Sequence, residues 1–192
     1  MKRNLIFAVV GQSGTGKTTM AKMLSEKLHI PTIVSYTTRP RRHNEEDGVD
    51  HYFVDGMPPK ECMLAHTVFG DYDYWTLHTQ LVPGPCVYVI DEKGLADLRS
   101  EFGGILNICS MLIKRPYDEL VKEISPNRLK RDEERMKLPE TDYDIVINND
   151  GTLAQFYRKA IQSVKEVIEE QEEYEDRGEW ICHYRKRNRT VL

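Results

Sequence analysis

The eight residues Gly11-Gln12-Ser13-Gly14-Thr15-Gly16-Lys17-Thr18 constrain this chain more than any other stretch. They match the phosphate-binding pattern G-x-x-x-x-G-K-[ST] at every fixed position. Before them, Leu5 to Val10 is a continuous apolar run, as in a strand buried on both faces of a parallel sheet. After them, Met20, Met23, Leu24 and Leu28 recur at helical spacing between Thr19 and His29. Strand, glycine loop and helix is the arrangement that wraps backbone N–H groups around a polyphosphate at a helix N-terminus. The expected donor-site residues are therefore Gly11, Ser13, Gly14, Thr15, Gly16, Lys17, Thr18 and Thr19. Lys17 should reach the β- and γ-phosphates, the Thr18 hydroxyl should ligate Mg²⁺, and the backbone from Ser13 to Thr18 should donate hydrogen bonds.

Further along, short apolar runs alternate with helical patterns. Strands are expected at Pro31–Ser35, Cys86–Ile90, Ile105–Ile113 and Ile145–Ile147. Helices are expected at Glu92–Phe102 and Tyr117–Ile124. A long helix presents Leu153, Phe156, Tyr157, Ala160, Ile161, Val164 and Ile168 on one face. This alternation predicts an α/β fold of three layers, with a central parallel sheet covered on both faces. Extended pieces are expected near His51–Val54 and Thr67–Trp75, with a short helix opened by Pro58-Pro59 between them.

Composition excludes little beyond this. The 192 residues suit one domain with subdomains inserted in it, and the net charge of −4 gives no general argument for nucleic-acid binding. No apolar run approaches a membrane span, and the first one leads straight into the glycine loop, so it reads as a strand and not a secretion signal. Cys62, Cys86, Cys109 and Cys182 are far apart, form no CxxC pair and read as reduced thiols of a cytoplasmic protein. Glu166 to Asp176 is acidic and the following tail basic; Trp180–Tyr184 reads as an added strand or an oligomer contact. A monomer or a homodimer is expected.

Two segments interrupt the alternation, and both are rich in arginine. Ser35 to Trp75 carries Arg39, Arg41 and Arg42; Ser125 to Lys137 carries Arg128, Arg131 and Arg135. Loops after the carboxyl ends of parallel strands line the ligand crevice. Arginine suits bidentate phosphate recognition. One segment would hold a second, phosphate-bearing substrate, and the other would close over the transferring group. Asp91, at the end of an apolar strand, would orient metal-bound water or cap the helix that follows.

The first segment carries a resemblance. Ser35-Tyr36-Thr37-Thr38-Arg39-Pro40-Arg41-Arg42, followed by Gly48-Val49-Asp50-His51-Tyr52-Phe53, resembles the guanylate kinase signature S-x-T-T-R-x-x-R…G-x-D-Y-x-F. Ile90-Asp91-Glu92-Lys93-Gly94 is similar to that family's I-D-x-x-G, and Tyr143-Asp144 to Asn149 to its Y-D-x-x-x-x-N. The resemblance implies a nucleoside monophosphate kinase that moves the γ-phosphoryl group of ATP onto GMP or dGMP with Mg²⁺. It implies a core of residues 1–34, 84–124 and 138–178, an acceptor-binding insertion at 35–83, a short lid at 125–137 and an extension at 179–192. Ser35, Arg39 and Arg42 would grip the acceptor phosphate with Tyr74. His51 and Tyr52 stand at the family's acceptor tyrosine, Thr76 would face the base, and Asp91 would sit by the metal and the acceptor. Lys17, Arg39, Arg128, Arg131 and Arg135 would be the catalytic cations.

Three departures bear on the acceptor. His51 replaces the tyrosine after G-x-D; Trp75 stands where the family has glycine and is expected to narrow or stack against the acceptor pocket; and the family's guanine-reading glutamate falls at Leu64 or Ala65. His66, Asp71 and Asp73 lie near enough to substitute for it. The residues therefore also fit a kinase of broader or non-guanine base specificity. A nucleotide-binding scaffold module and an ATPase are further readings of the same loop.

Overall fold

The computed structural model describes residues 4–176 and 189–191, the last three as backbone only. In chain order the elements are β1 (Leu5–Val10), α1 (Lys17–Leu28), β2 (Thr32–Ile33), β3 (Tyr36–Thr37), β4 (Tyr52–Phe53), β5 (Met63–Phe69), β6 (Tyr72–Leu77) and β7 (Pro85–Val89). There follow α2 (Glu92–Phe102), β8 (Asn107–Lys114), α3 (Tyr117–Glu123), α4 (Pro126–Glu134), β9 (Ile145–Asn148), α5 (Leu153–Asp176) and β10 (Arg189–Val191).

Six strands form a wholly parallel sheet in the order β10-β9-β8-β1-β7-β2. β1 lies inside it, between β8 and β7, and its alternating side chains feed two separate cores. Leu5, Phe7 and Val9 pack with Met20, Met23 and Leu24 of α1 and with Phe156, Ala160 and Val164 of α5. Ile6, Ala8 and Val10 pack with Leu95 and Leu98 of α2 on the opposite face. Burial on both faces is why β1 is apolar at every position and shows no two-residue alternation. The result is the three-layer α/β architecture expected from the sequence.

A second sheet, β4-β3-β6-β5, is built entirely within residues 36–77. Here the structure refines the sequence reading. The extended piece expected at Thr67–Trp75 is the middle of a hairpin: β5 and β6 pair antiparallel from Met63↔Leu77 to Phe69↔Tyr72, and Gly70 turns the chain at φ 65°. The helix expected after Pro58-Pro59 is a three-residue 3-10 turn, Lys60–Cys62. α1 begins at Lys17, two residues before its first expected position, because the glycine loop itself runs into the helix. Trp180–Tyr184 falls outside the described residues; the strand that extends the sheet past β9 is β10.

Candidate active site

β1 ends at Val10 and the chain turns sharply at Gly11, whose φ of 151° and position leave no room for a side chain. A Cβ there would lie 2.5 Å from the Ile113 carbonyl oxygen of neighbouring β8. Gly16, at φ 105°, is the N-cap of α1, and no side chain caps that helix. The first-turn N–H groups of a helix without such a cap remain donors for an anion. The Lys17 ammonium folds back over the loop and donates to the carbonyls of Gly11 and Gln12, both at 2.7 Å. Burial, and then the nearby Arg135 guanidinium, pull its pKa down to about 8. Asn149, after β9, braces the loop by donating to the Thr15 carbonyl at 2.9 Å.

Two cavities meet at Lys17. The larger, about 1370 Å³, runs along Ser13, Gly14, Gly16, Lys17, Thr18 and Thr19 and is flanked by Arg115, Arg128, Asn149 and Asp150. The smaller, about 160 Å³, lies between the 36–77 sheet and the end of β7, against Ala65, Thr67, Phe69, Tyr74, Tyr88, Asp91 and Arg135. Lys17, Ser35 and His51 line both. The phosphate loop and the first arginine-rich segment, which sequence alone could only place in order, thus share one wall.

On that segment Arg39 is nearly buried and fully engaged. Its Nε donates to Tyr74 Oη at 3.0 Å, and one terminal nitrogen donates to both carboxylate oxygens of Glu45 at 2.8 and 2.9 Å. Arg42 reaches the same carboxylate through its backbone N–H at 3.0 Å and its guanidinium at 3.3 Å. Burial opposes ionisation of Glu45, but these donors hold its carboxyl below the usual range. An anion thus already sits on the two arginines, and the spacing of the signature did not announce that Glu45 would supply it. Ser35 Oγ and His51 Nδ1 are 2.8 Å apart. Burial, and then Arg39, lower the His51 pKa, which keeps the ring neutral at pH 7.

The second arginine-rich segment, which shows little apolar pattern, is a helix with its own anchors. Asp132 of α4 is 2% exposed, and its Oδ2 accepts from the Ser13 N–H at 2.6 Å. Arg135, just past α4, donates to the Gly11 carbonyl at 3.2 Å and to Glu92 Oε1 at 3.1 Å, and its Nε lies 2.8 Å from Glu92 Oε2. Arg131 stacks its guanidinium over the Phe69 ring, 4.3 Å from the centroid. Arg128 lines the larger cavity. Glu92, Phe69 and Asp132 were not singled out by the sequence pattern. Each acts on a partner distant in the chain, and only the fold brings them together.

These elements agree with the relatives of the chain. The guanylate kinase family model matches residues 2–72. A guanylate kinase of Frankia casuarinae is 33% identical over 160 residues, which span 73% of this chain and 86% of that protein. The chain belongs to the guanylate kinase family. Another guanylate kinase, from Coxiella burnetii, is 29% identical over 191 residues, covering 88% of each chain. The crystal structure of guanylate kinase from Anaplasma phagocytophilum shares the fold, with a TM-score of 0.63 at 22% identity over 89% of this chain and 88% of that one.

Against the guanylate kinase pattern, the three departures take definite form. His51 stands in the wall between the cavities, while Tyr52 stacks on Tyr36 at 4.7 Å between ring centroids and lines neither. Trp75 neither narrows nor lines the smaller cavity, contrary to expectation. It is buried on the other side of β6 and stacks on Tyr36 at 5.8 Å, its register partner on β3. Leu64 is committed to the core and Ala65 lines the cavity, so neither offers a side-chain acceptor. Thr76 also turns from the expected base-facing role: its buried hydroxyl donates to Tyr88 Oη at 3.1 Å. Of the substitutes, Asp73 pairs with His66 at 2.7 Å and Asp71 is exposed at the hairpin turn. Asp91 is the one carboxylate among the described residues lining the smaller cavity. Its Oδ1 caps α2 through the Gly94 N–H at 2.7 Å, and its Oδ2 accepts from Thr67 Oγ1 at 3.1 Å.

Proposed function

We propose that this chain transfers the γ-phosphoryl group of ATP to the phosphate of GMP or dGMP, giving ADP and the diphosphate. The observation that carries this reading is the wall of Lys17, Ser35 and His51 common to both cavities. It sets a phosphate loop beside an arginine pair that already grips a carboxylate. Phosphoryl transfer asks the protein for position and charge neutralisation more than for covalent chemistry.

ATP would occupy the larger cavity, its phosphates taking the loop N–H groups from Ser13 to Thr18 and drawing Lys17 off the carbonyls it now holds. The acceptor base would occupy the smaller one, and its phosphate would reach past the common wall to the edge of the larger cavity, replacing Glu45 on Arg39 and Arg42 beside Ser35 and His51. Residues 35–83 would form the acceptor-binding insertion, 125–137 the lid carrying Arg128, Arg131 and Arg135, and the remaining sheet and helices the core. Arg135, which lines the acceptor cavity and is held by Glu92, is aimed at the junction where negative charge moves.

The site fits a magnesium ion held mainly by substrate phosphates, the usual mode for this metal. Thr18 is an exposed hydroxyl at the head of α1 in the larger cavity, and no group of three metal-binding side chains competes for the ion among the described residues. Thr18 would hold Mg²⁺ with Asp91 on its far side; the ion would supply neutralisation of phosphate charge. The free thiols of Cys62, Cys86 and Cys109 suit the reducing cytoplasm. No helix among the described residues is long and apolar enough to cross a membrane.

The apolar Leu64–Ala65 position favours a second reading, a kinase of broader base specificity. One panel tests both: ADP formation measured with each ribo- and deoxynucleoside monophosphate in turn. Acceptor-dependent turnover with GMP or dGMP supports the proposal. Turnover without any acceptor indicates an ATPase, and none at all a binding module; either would overturn it.

A further inference from the structure

Arg131 is the α4 arginine that touches neither the phosphate loop nor a cavity wall. Instead its guanidinium lies over Phe69, 4.3 Å from the ring centroid, and its buried Nε makes no hydrogen bond. Burial lowers its pKa, as expected of a cation that has exchanged water for a ring face. Phe69 is the last residue of β5, beside the Gly70 turn, so the contact joins α4 to the tip of the hairpin in the other arginine-bearing segment. The same ring lines the smaller cavity and meets Tyr74 edge-on at 6.4 Å; Tyr74 Oη in turn accepts from Arg39. A continuous path therefore runs from Arg131 through Phe69 and Tyr74 to Arg39.

We propose that Phe69 is a positioning residue for phosphoryl transfer: its ring seats Arg131 and so lets the acceptor cavity control where α4 closes. An acceptor base filling that cavity packs against the ring and fixes its plane. A fixed ring face gives the guanidinium one place to sit, and α4 carries Arg128 and Arg135 with it. The contact is already made in this structure, and a base packed against the cavity side of the ring would hold it in place. Acceptor binding and lid closure then favour each other, and the coupling is reciprocal. The inference rests on the reading of the chain as a monophosphate kinase.

The test is a cycle of Phe69→Leu, Phe69→Tyr, Arg131→Met and the Phe69→Leu/Arg131→Met pair, with kcat and both KM values measured. Phe69→Leu keeps apolar bulk in the cavity but removes the ring face. It is expected to lower kcat about tenfold, the rate equivalent of one partly desolvated cation–π contact. Phe69→Tyr should restore kcat to within about twofold, since a phenol keeps the face. In the Arg131→Met background, Phe69→Leu should have no further effect on kcat. Equal losses in both backgrounds would overturn the proposal, because Phe69 would then act through the cavity alone. So would an unchanged kcat in Phe69→Leu. Absence of acceptor-dependent turnover in the unaltered chain would instead defeat the kinase reading, and this inference with it. Thermal unfolding of each variant separates lost folding from lost positioning.

Discussion

Asp132 Oδ2 accepts a hydrogen bond from the Ser13 N–H at 2.6 Å across 119 residues of sequence. A nearly buried carboxylate from α4 thus holds a donor of the phosphate loop, while its Oδ1 makes no hydrogen bond. A phosphate oxygen arriving at the same loop must displace it. Asp132→Asn should therefore lower the dissociation constant for ATP by about three- to tenfold, since a neutral amide competes less well for that N–H and removes a like charge. Calorimetric titration of ATP into both proteins measures this. Unchanged or weaker binding by the variant would show that Asp132 does not compete with the donor.

Lys17→Ala should reduce turnover on the order of a hundredfold or more, with little change in thermal stability. Lys17 bonds only to carbonyls of its own loop, so the two cores do not depend on it. Near-wild-type turnover would contradict its role.

The same lysine predicts a proton linkage. Its pKa of about 8 lies below the ordinary 10.5, so between those values the unfolded chain binds a proton that the folded chain does not. Stability from this group alone therefore rises as pH climbs from about 8 to 10.5. Bound polyphosphate favours the charged amine, so ATP binding near pH 8.5 should take up protons and binding near pH 6.5 should take up few. Calorimetry in two buffers of different ionisation enthalpy reads the difference; equal heats at the higher pH would refute the linkage.

Arg39 should matter to one substrate and not the other. It is held on Tyr74 and Glu45, away from the phosphate loop. Arg39→Ala should weaken the monophosphate by about 2–4 kcal/mol and leave ATP nearly unaffected. Separate titrations decide this, and a comparable loss for ATP would mean that the arginine serves the donor.

Base selectivity should be lower than the family pattern implies. With Leu64 in the core and Ala65 at the cavity, Asp91 is the carboxylate left among the described residues of that cavity wall, already shared with Gly94 and Thr67. A pocket rejects an analogue strongly when its own polar groups would be stranded, and here few would be. Specificity constants for GMP and dGMP are expected to lead those of the other bases by less than about a thousandfold. A larger lead would show that Asp91 and Thr67 suffice to read guanine.

How far the sequence revealed this arrangement depended on the kind of contact. β1 and the loop after it were legible because burial on both faces and tight backbone turns each force a residue type. The β5–β6 hairpin is less legible, because Gly70-Asp71 is a weaker turn signal than Asn-Gly or Asp-Gly and leaves Thr67–Trp75 looking like one extended piece. α4 carries Leu129 as its one apolar side chain, so it has almost no hydrophobic period to detect. It docks through Asp132 and Arg131 instead. Glu45 and Glu92 were illegible as site residues for a related reason: a carboxylate gains its role from the arginine that folding brings to it.

The wall of Lys17, Ser35 and His51 also fixes what one molecule gains by entering both cavities at once. Two nucleosides joined through a single polyphosphate would bind as a bivalent ligand, the second half arriving at an effective concentration of about millimolar or higher. Only a tether matched to the span would realise that avidity; a shorter one would strand one nucleoside outside. A series of dinucleoside polyphosphates should therefore show a sharp optimum in affinity with tether length, and a flat series would mean that the two cavities are not occupied together.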